Sequence, residues 1–208
     1  HRNGGCFHST TAAAFAAVPL AVFSGIPTQL FVYPTILSAV SIETMEKISK
    51  LQKIYQQNEL VKAENLALEI LSELESETDK DFKHITGVLN KLNGIYKKTN
   101  QMDKAFKYIK EAYDISKKET GIPEYATILY TINLATTCNH MHKTDDAIKY
   151  YEESINKLTK LLQSKKTEDR DFAQFALPRC TDELLVIYHK NRQHKNCRCS
   201  NSSCSATR

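Results

Sequence analysis

The sequence has no tryptophan, only six glycines and five prolines in 208 residues, and no acidic residue before Glu43. So little Gly and Pro excludes a collagenous or low-complexity chain and leaves room for long helices, which both residues weaken. No cysteine occurs between residues 7 and 137. The six that are present, Cys6, Cys138, Cys180, Cys197, Cys199 and Cys204, avoid the best-patterned part of the chain. That distribution argues against a disulfide framework and for reduced thiols in a cytosolic-type compartment. The sequence also lacks a Gly-rich phosphate loop, a His-Glu-x-x-His pair and a Gly-x-Ser-x-Gly elbow. Nothing in it therefore points to catalysis or a cofactor. The paired acids Glu73 with Glu75 and Glu152 with Glu153 read as solvated helix faces.

What is present divides into three parts. Residues 1–41 form a leader. It is uncharged from Thr11 to Ser41, and Pro19, Pro27 and Pro34 interrupt it. Its apolar segments, Ala12–Phe23 and Gln29–Val40, are each shorter than the ~20 residues that span a bilayer. The leader reads as a targeting or anchoring segment or as non-native sequence, since the first Met is Met45. Of the 28 Lys and Arg only Arg2 lies before Glu43, so the remainder is near balance against 24 acids. Balance of that kind counts against a nucleic-acid binder, including an RNA-binding helical repeat.

Residues 42–196 carry apolar positions at helical spacing. They also repeat. Ala63, Ala105 and Ala147 are spaced 42 residues apart, each followed by a stripe: Leu66-Ile70-Leu74, Tyr108-Ala112-Ile115 and Tyr150-Ser154-Leu158. Each Ala is preceded by a related segment, Leu51-Gln52-Lys53-Ile54-Tyr55, Leu92-Asn93-Gly94-Ile95-Tyr96 or Leu134-Ala135-Thr136-Thr137-Cys138. Leu184-Leu185-Val186-Ile187-Tyr188 begins a fourth copy, with Cys197 where its Ala belongs. Small residues at one fixed place suit the crossing of two antiparallel helices, and a lone pair cannot bury its apolar face, so copies must stack.

These residues resemble the helix-turn-helix signature of the tetratricopeptide family. The period of 42 and the segment Ile122-Pro123-Glu124-Tyr125-Ala126 are most similar to the long-helix repeats of kinesin light chains. Absence of Trp, Asn93 at a usually small position and Cys138 in place of Tyr are departures. The resemblance implies an all-α chain of antiparallel helix-turn-helix repeats stacked as an α-solenoid. Pairs are expected near 42–76, 81–118 and 123–165, with an incomplete fourth at 172–196. That fourth pair is expected to start at Pro178 and to leave Leu184, Leu185 and Ile187 uncovered. Residues 197–208 read as an irregular Cys/Ser-rich tail.

The resemblance also implies a non-catalytic adaptor that binds a short, acidic peptide of another protein in a concave groove. The family's groove positions carry over to Asn90, Lys91, Lys97 and Lys98 in one repeat and to Asn133, Asn139 and His140 in the next. Asn can pair with both N–H and C=O of an extended backbone, and Lys attracts carboxylates. The localisation implied is cytoplasmic. The alternative is a mitochondrial assembly factor targeted by the leader. Three further groups are weighed. His189, His194, Cys197, Cys199 and Cys204 have zinc-ligand chemistry, but no standard zinc spacing, so no metal site is assigned. His140 and His142 read as exposed turn residues. Tyr96, Tyr113 and Tyr188 read as packing.

Overall fold

A computed structural model describes the backbone of residues 41–203 and the side chains as far as Arg192. The leader call on residues 1–41 thus lies outside the described residues, except for Ser41. Seven helices follow in order: α1 (Ile42–Gln56), α2 (Leu60–Ser76), α3 (Phe82–Lys98), α4 (Met102–Lys118), α5 (Glu124–His140), α6 (Thr144–Leu161) and α7 (Thr167–Ser203). Among the described residues there is no strand.

The turn inside each pair is the same object built three times. Asn58, Asn100 and His142 adopt the left-handed conformation, with φ of 61°, 58° and 59°. In each turn two amides fold back on the last turn of the helix. Asn58 N donates to Tyr55 O and Glu59 N to Ile54 O; Asn100 N to Lys97 O and Gln101 N to Tyr96 O; His142 N to Asn139 O and Lys143 N to Cys138 O. This is a Schellman closure, which satisfies carbonyls the helix end leaves orphaned. Asn and His tolerate the left-handed region better than most side chains. Between pairs the chain restarts differently. Ser41 Oγ accepts from Thr44 N, and Asp81 Oδ1 accepts from His84 N, capping α1 and α3. Pro123, locked near helical φ, precedes α5.

Ala63, Ala105 and Ala147 are fully buried, at 0% exposure each. They let the second helix of each pair approach the first closely beside the turn. Larger residues fill the space beyond, among them Leu74, Leu92, Ile109, Leu134 and Leu158. Each helix packs on its neighbours in sequence; in addition α3 meets α5, and α5 meets α7. The backbones of α2 and α4, and of α4 and α6, approach less closely, and α4 meets α6 through side chains, Tyr113 with Tyr150 and Lys117 with Glu153. The first helices of successive pairs therefore lie on the inner side of the stack.

Tyr96 is stacked on Tyr108, with ring centroids 5.5 Å apart, and donates to Glu64 Oε1 at 2.7 Å. Tyr113 meets Tyr150 edge-on. Tyr188, expected to pack, is instead exposed and donates to Glu152 Oε1 at 2.7 Å. Two acids expected to be only solvated knit helices together. Glu73 of α2 pairs with Lys47 of α1, and Glu153 of α6 takes both Lys117 of α4 and Lys157.

The C-terminal part departs furthest from expectation. α7 is one helix of 37 residues that continues past Pro178, so Pro178 does not begin it. Pro178 removes the N–H that would have met the carbonyl of Gln174, and its ring crowds that same carbonyl. No turn interrupts α7 where a helix-turn-helix pair would need one, and residues 197–203 are helical rather than irregular. Leu184 and Ile187 are buried against the preceding pair, not uncovered; Leu185 does remain exposed.

Candidate functional site

Five of the seven candidate residues come together. Asn90, Lys91, Lys97 and Lys98 of α3 and Asn133 of α5 line one open pocket of about 280 Å³ with Tyr55, Asn93 and Gly94. Asn90, Lys97 and Gly94 share a face of α3, because residues 3, 4 and 7 apart do so at 3.6 residues per turn. The other two candidates lie elsewhere. Asn139 and His140 line a second pocket, of about 600 Å³, with His142, Thr144 and Lys190 between the α5–α6 turn and α7.

Tyr55, near the end of α1, organises the first pocket. The ammonium group of Lys98 lies 4.4 Å from its ring centroid and that of Lys91 lies 5.3 Å away. Cations are attracted to the negative face of an aromatic ring. Lys98 Nζ also donates to Asn58 Oδ1 in the α1–α2 turn, at 3.3 Å. The ring fits because Gly94 has no side chain: a Cβ there would stand 2.8 Å from the Tyr55 hydroxyl oxygen.

Among the described residues, Lys91, Lys97 and Lys98 form no ion pair with an acid. Burial alone holds the ammonium groups of Lys91 and Lys97 below the usual lysine range. A half-buried cation without a counter-ion is a cost that an incoming anion relieves.

Beside the lysines, Asn133 Nδ2 donates to Asn90 Oδ1 at 2.7 Å. Below that pair, the Nδ2 group of the buried Asn93 spends its two hydrogens on Ala105 O and Thr137 Oγ1, both at 3.1 Å. Asn93 thus ties α3 to α4 and α5 at once, which explains a polar residue at a position that is usually small. Further along, Tyr130 Oη of α5 donates to Thr86 Oγ1 of α3 at 3.2 Å. Three polar contacts therefore fix the register of α5 against α3.

Tyr55, Asn93 and Gly94 were not among the expected site residues. Tyr55 stands in the sequence only as the last residue of a repeat segment, and nothing in one sequence says what faces Gly94. Among the described residues no cluster of three or more His, Cys, Asp or Glu could hold a metal ion. His194, Cys197, Cys199 and Cys204 lie beyond the described side chains. Cys138 and Cys180 are free and buried, and burial pushes both thiols up to about 11.

A tetratricopeptide-repeat family model matches residues 87–160, the stretch that contains most of α3, all of α4 and α5, and most of α6. Among solved structures, the chain is similar to BtubC (BKLC) from P. vanneervenii, at 21% identity with a TM-score of 0.57. That likeness covers 71% of this chain and 55% of BtubC, so the chain spans about half the length of that protein. At that identity the likeness is one of fold. No curated protein matches the sequence.

Proposed function

We propose that this chain, a tetratricopeptide-repeat protein, is a non-catalytic adaptor that holds an extended acidic peptide of a partner protein along α3 and α5. Repeats of this family generally mediate protein–protein interaction. The observation that carries the finer reading is the group of three lysines that line one pocket with Tyr55, two of them over its ring, with no acid in the lining. An acidic side chain entering there relieves the burial cost of Lys91 and Lys97. The Asn90–Asn133 pair beside it supplies the backbone contacts of an extended chain. The period of 42 supports a place among long-helix repeats such as those of kinesin light chains.

The test is a fluorescence-polarisation screen of Asp/Glu-rich, Lys/Arg-rich and neutral peptides against the full chain and against Lys97→Glu with Lys98→Glu. The expected result is selective capture of acidic peptides that weakens with salt, because an exposed groove is screened over about 8 Å at physiological ionic strength. The charge-reversed, folded variant should lose it. Equal binding by both forms would sink the adaptor mechanism, though not the fold.

The cellular setting proposed is cytoplasmic, with mitochondrial targeting through residues 1–41 as the alternative. Imaging of full-length and leader-deleted forms separates the two. Among the described residues no helix is long and apolar enough to cross a membrane.

A further inference from the structure

Helix α7 has a second face that the stack leaves open. Ala173, Ala176, Cys180, Leu184 and Ile187 are buried at a spacing of three and four residues, which is the stripe turned to α5 and α6. On the far side Phe175, Leu185 and Val186 are exposed at 64%, 51% and 46%. Scattered single apolar residues on a surface are ordinary, but Leu185 and Val186 adjoin, and Phe175 lies on the side of Val186 about three turns earlier, so they mark out one apolar strip along α7.

The charge along α7 says what kind of partner suits that patch. Five acids and two arginines lie between Glu168 and Glu183. From Leu184 to Ser203 the helix carries Lys190, Arg192, Lys195 and Arg198 and no acid. The first half is therefore net negative and the second half positive, with Leu185 and Val186 at the junction. Two such helices side by side repel when parallel and attract when antiparallel.

We propose that this face of α7 docks on the same face of a second copy of the chain, antiparallel, as an isologous twofold dimer. Asp182 and Arg192 are ten residues apart, about 15 Å along the helix at 1.5 Å per residue. A twofold axis midway between them sets each Asp182 against Arg192 of the other copy. Leu185 and Val186 then meet their counterparts close to that axis. The contact leaves the Tyr55 pocket untouched, so it stands or falls independently of peptide binding.

The test is sedimentation velocity on the full chain over a range of concentrations. The parent is expected to be a reversible dimer that weakens with salt. Asp182→Arg alone, or Arg192→Asp alone, should weaken it by about tenfold or more. Both substitutions in one chain restore the charge match and should return the parent behaviour. Leu185→Glu should abolish the dimer; should that variant lose helix by circular dichroism, the charge-swap set, at exposed positions, still decides. A parent that stays monomeric would mean that the face is kept for some other segment or protein, and would overturn the proposal. So would single charge reversals without effect, or a double swap that fails to restore the dimer.

Discussion

Asn133 of α5 donates from Nδ2 to Oδ1 of Asn90 on α3 at 2.7 Å, joining two repeats on the face that carries the lysines. Neither side chain has another partner among the described residues. The Asn90 amino group and the Asn133 carbonyl are therefore both free, one to donate and one to accept. Asn133→Ala should weaken acidic-peptide binding by about tenfold, the worth of one net hydrogen bond with some loss of alignment at Asn90. It should leave the salt dependence of binding unchanged, since no charge is altered. Titrations at two ionic strengths check this; unaltered affinity would mean that the peptide does not touch the pair.

Gly94 matters for what stands above it. Ala favours a helix interior over Gly by about 1 kcal/mol, so Gly94→Ala should leave the melting temperature level or slightly raised. The new Cβ would stand 2.8 Å from the Tyr55 hydroxyl oxygen, and the ring has to swing away. Lys91 and Lys98 then lose the face they share. The expected outcome is a stable protein with weakened peptide binding, read by thermal melting and polarisation together. Full binding by Gly94→Ala would show that Tyr55 does not organise the lysines.

The repeat was legible because one steric demand recurs at one place. Ala63, Ala105 and Ala147 stand out at a fixed interval, and Asn58, Asn100 and His142 fall at the same interval in the turns. Of these turn residues only His142 was placed in a turn, and the repeat of left-handed positions went unnoticed because Asn and His in a polar stretch look like any loop. α7 was misread for two reasons. Pro178 is favoured at a helix start, yet here the helix tolerates it inside. Residues 197–203 have no apolar period, so their helicity leaves no trace in hydropathy. At the site, Asn90, Lys91, Lys97 and Lys98 were legible only through the groove positions that the family resemblance implies, and the structure gathers them in one pocket. Tyr55 was not, since a tyrosine at core spacing looks the same whether it packs or carries cations.

Ala105 tests the crossing of α3 and α4. It has no exposed surface, and its carbonyl takes one of the Asn93 bonds. Leu at this position adds three carbons where the helices are closest, and should cost roughly 1–3 kcal/mol through overpacking. Ala147→Leu should behave alike in the next pair. Urea unfolding is the measurement. Parent-like stability of both variants would place the alanines away from the crossings.

Glu153 supplies a pH signature of the stack itself. Its carboxylate accepts from Lys117 Nζ of α4 at 2.6 Å, from Lys157 Nζ at 2.7 Å and from Tyr113 Oη at 3.1 Å. Partial burial by itself would push this carboxyl up. The hydrogen bonds and charges of Lys117 and Lys157 outweigh it and hold the group at about 2, below its ordinary 4.5. A carboxyl whose folded pKa is depressed stabilises the fold above its unfolded value. That contribution is lost as pH falls from about 4.5 toward 2. The group is partly solvated, so solvent screening limits its worth to about 1 kcal/mol at neutral pH. Glu153→Gln keeps the shape and removes the charge. It should therefore destabilise by that amount near neutrality, and the gap between variant and parent should narrow through the same acid window. Urea unfolding of both proteins across the window measures it. A gap that stays constant down to the lowest pH would show that the bond geometry, not the charge of Glu153, joins α4 to α6.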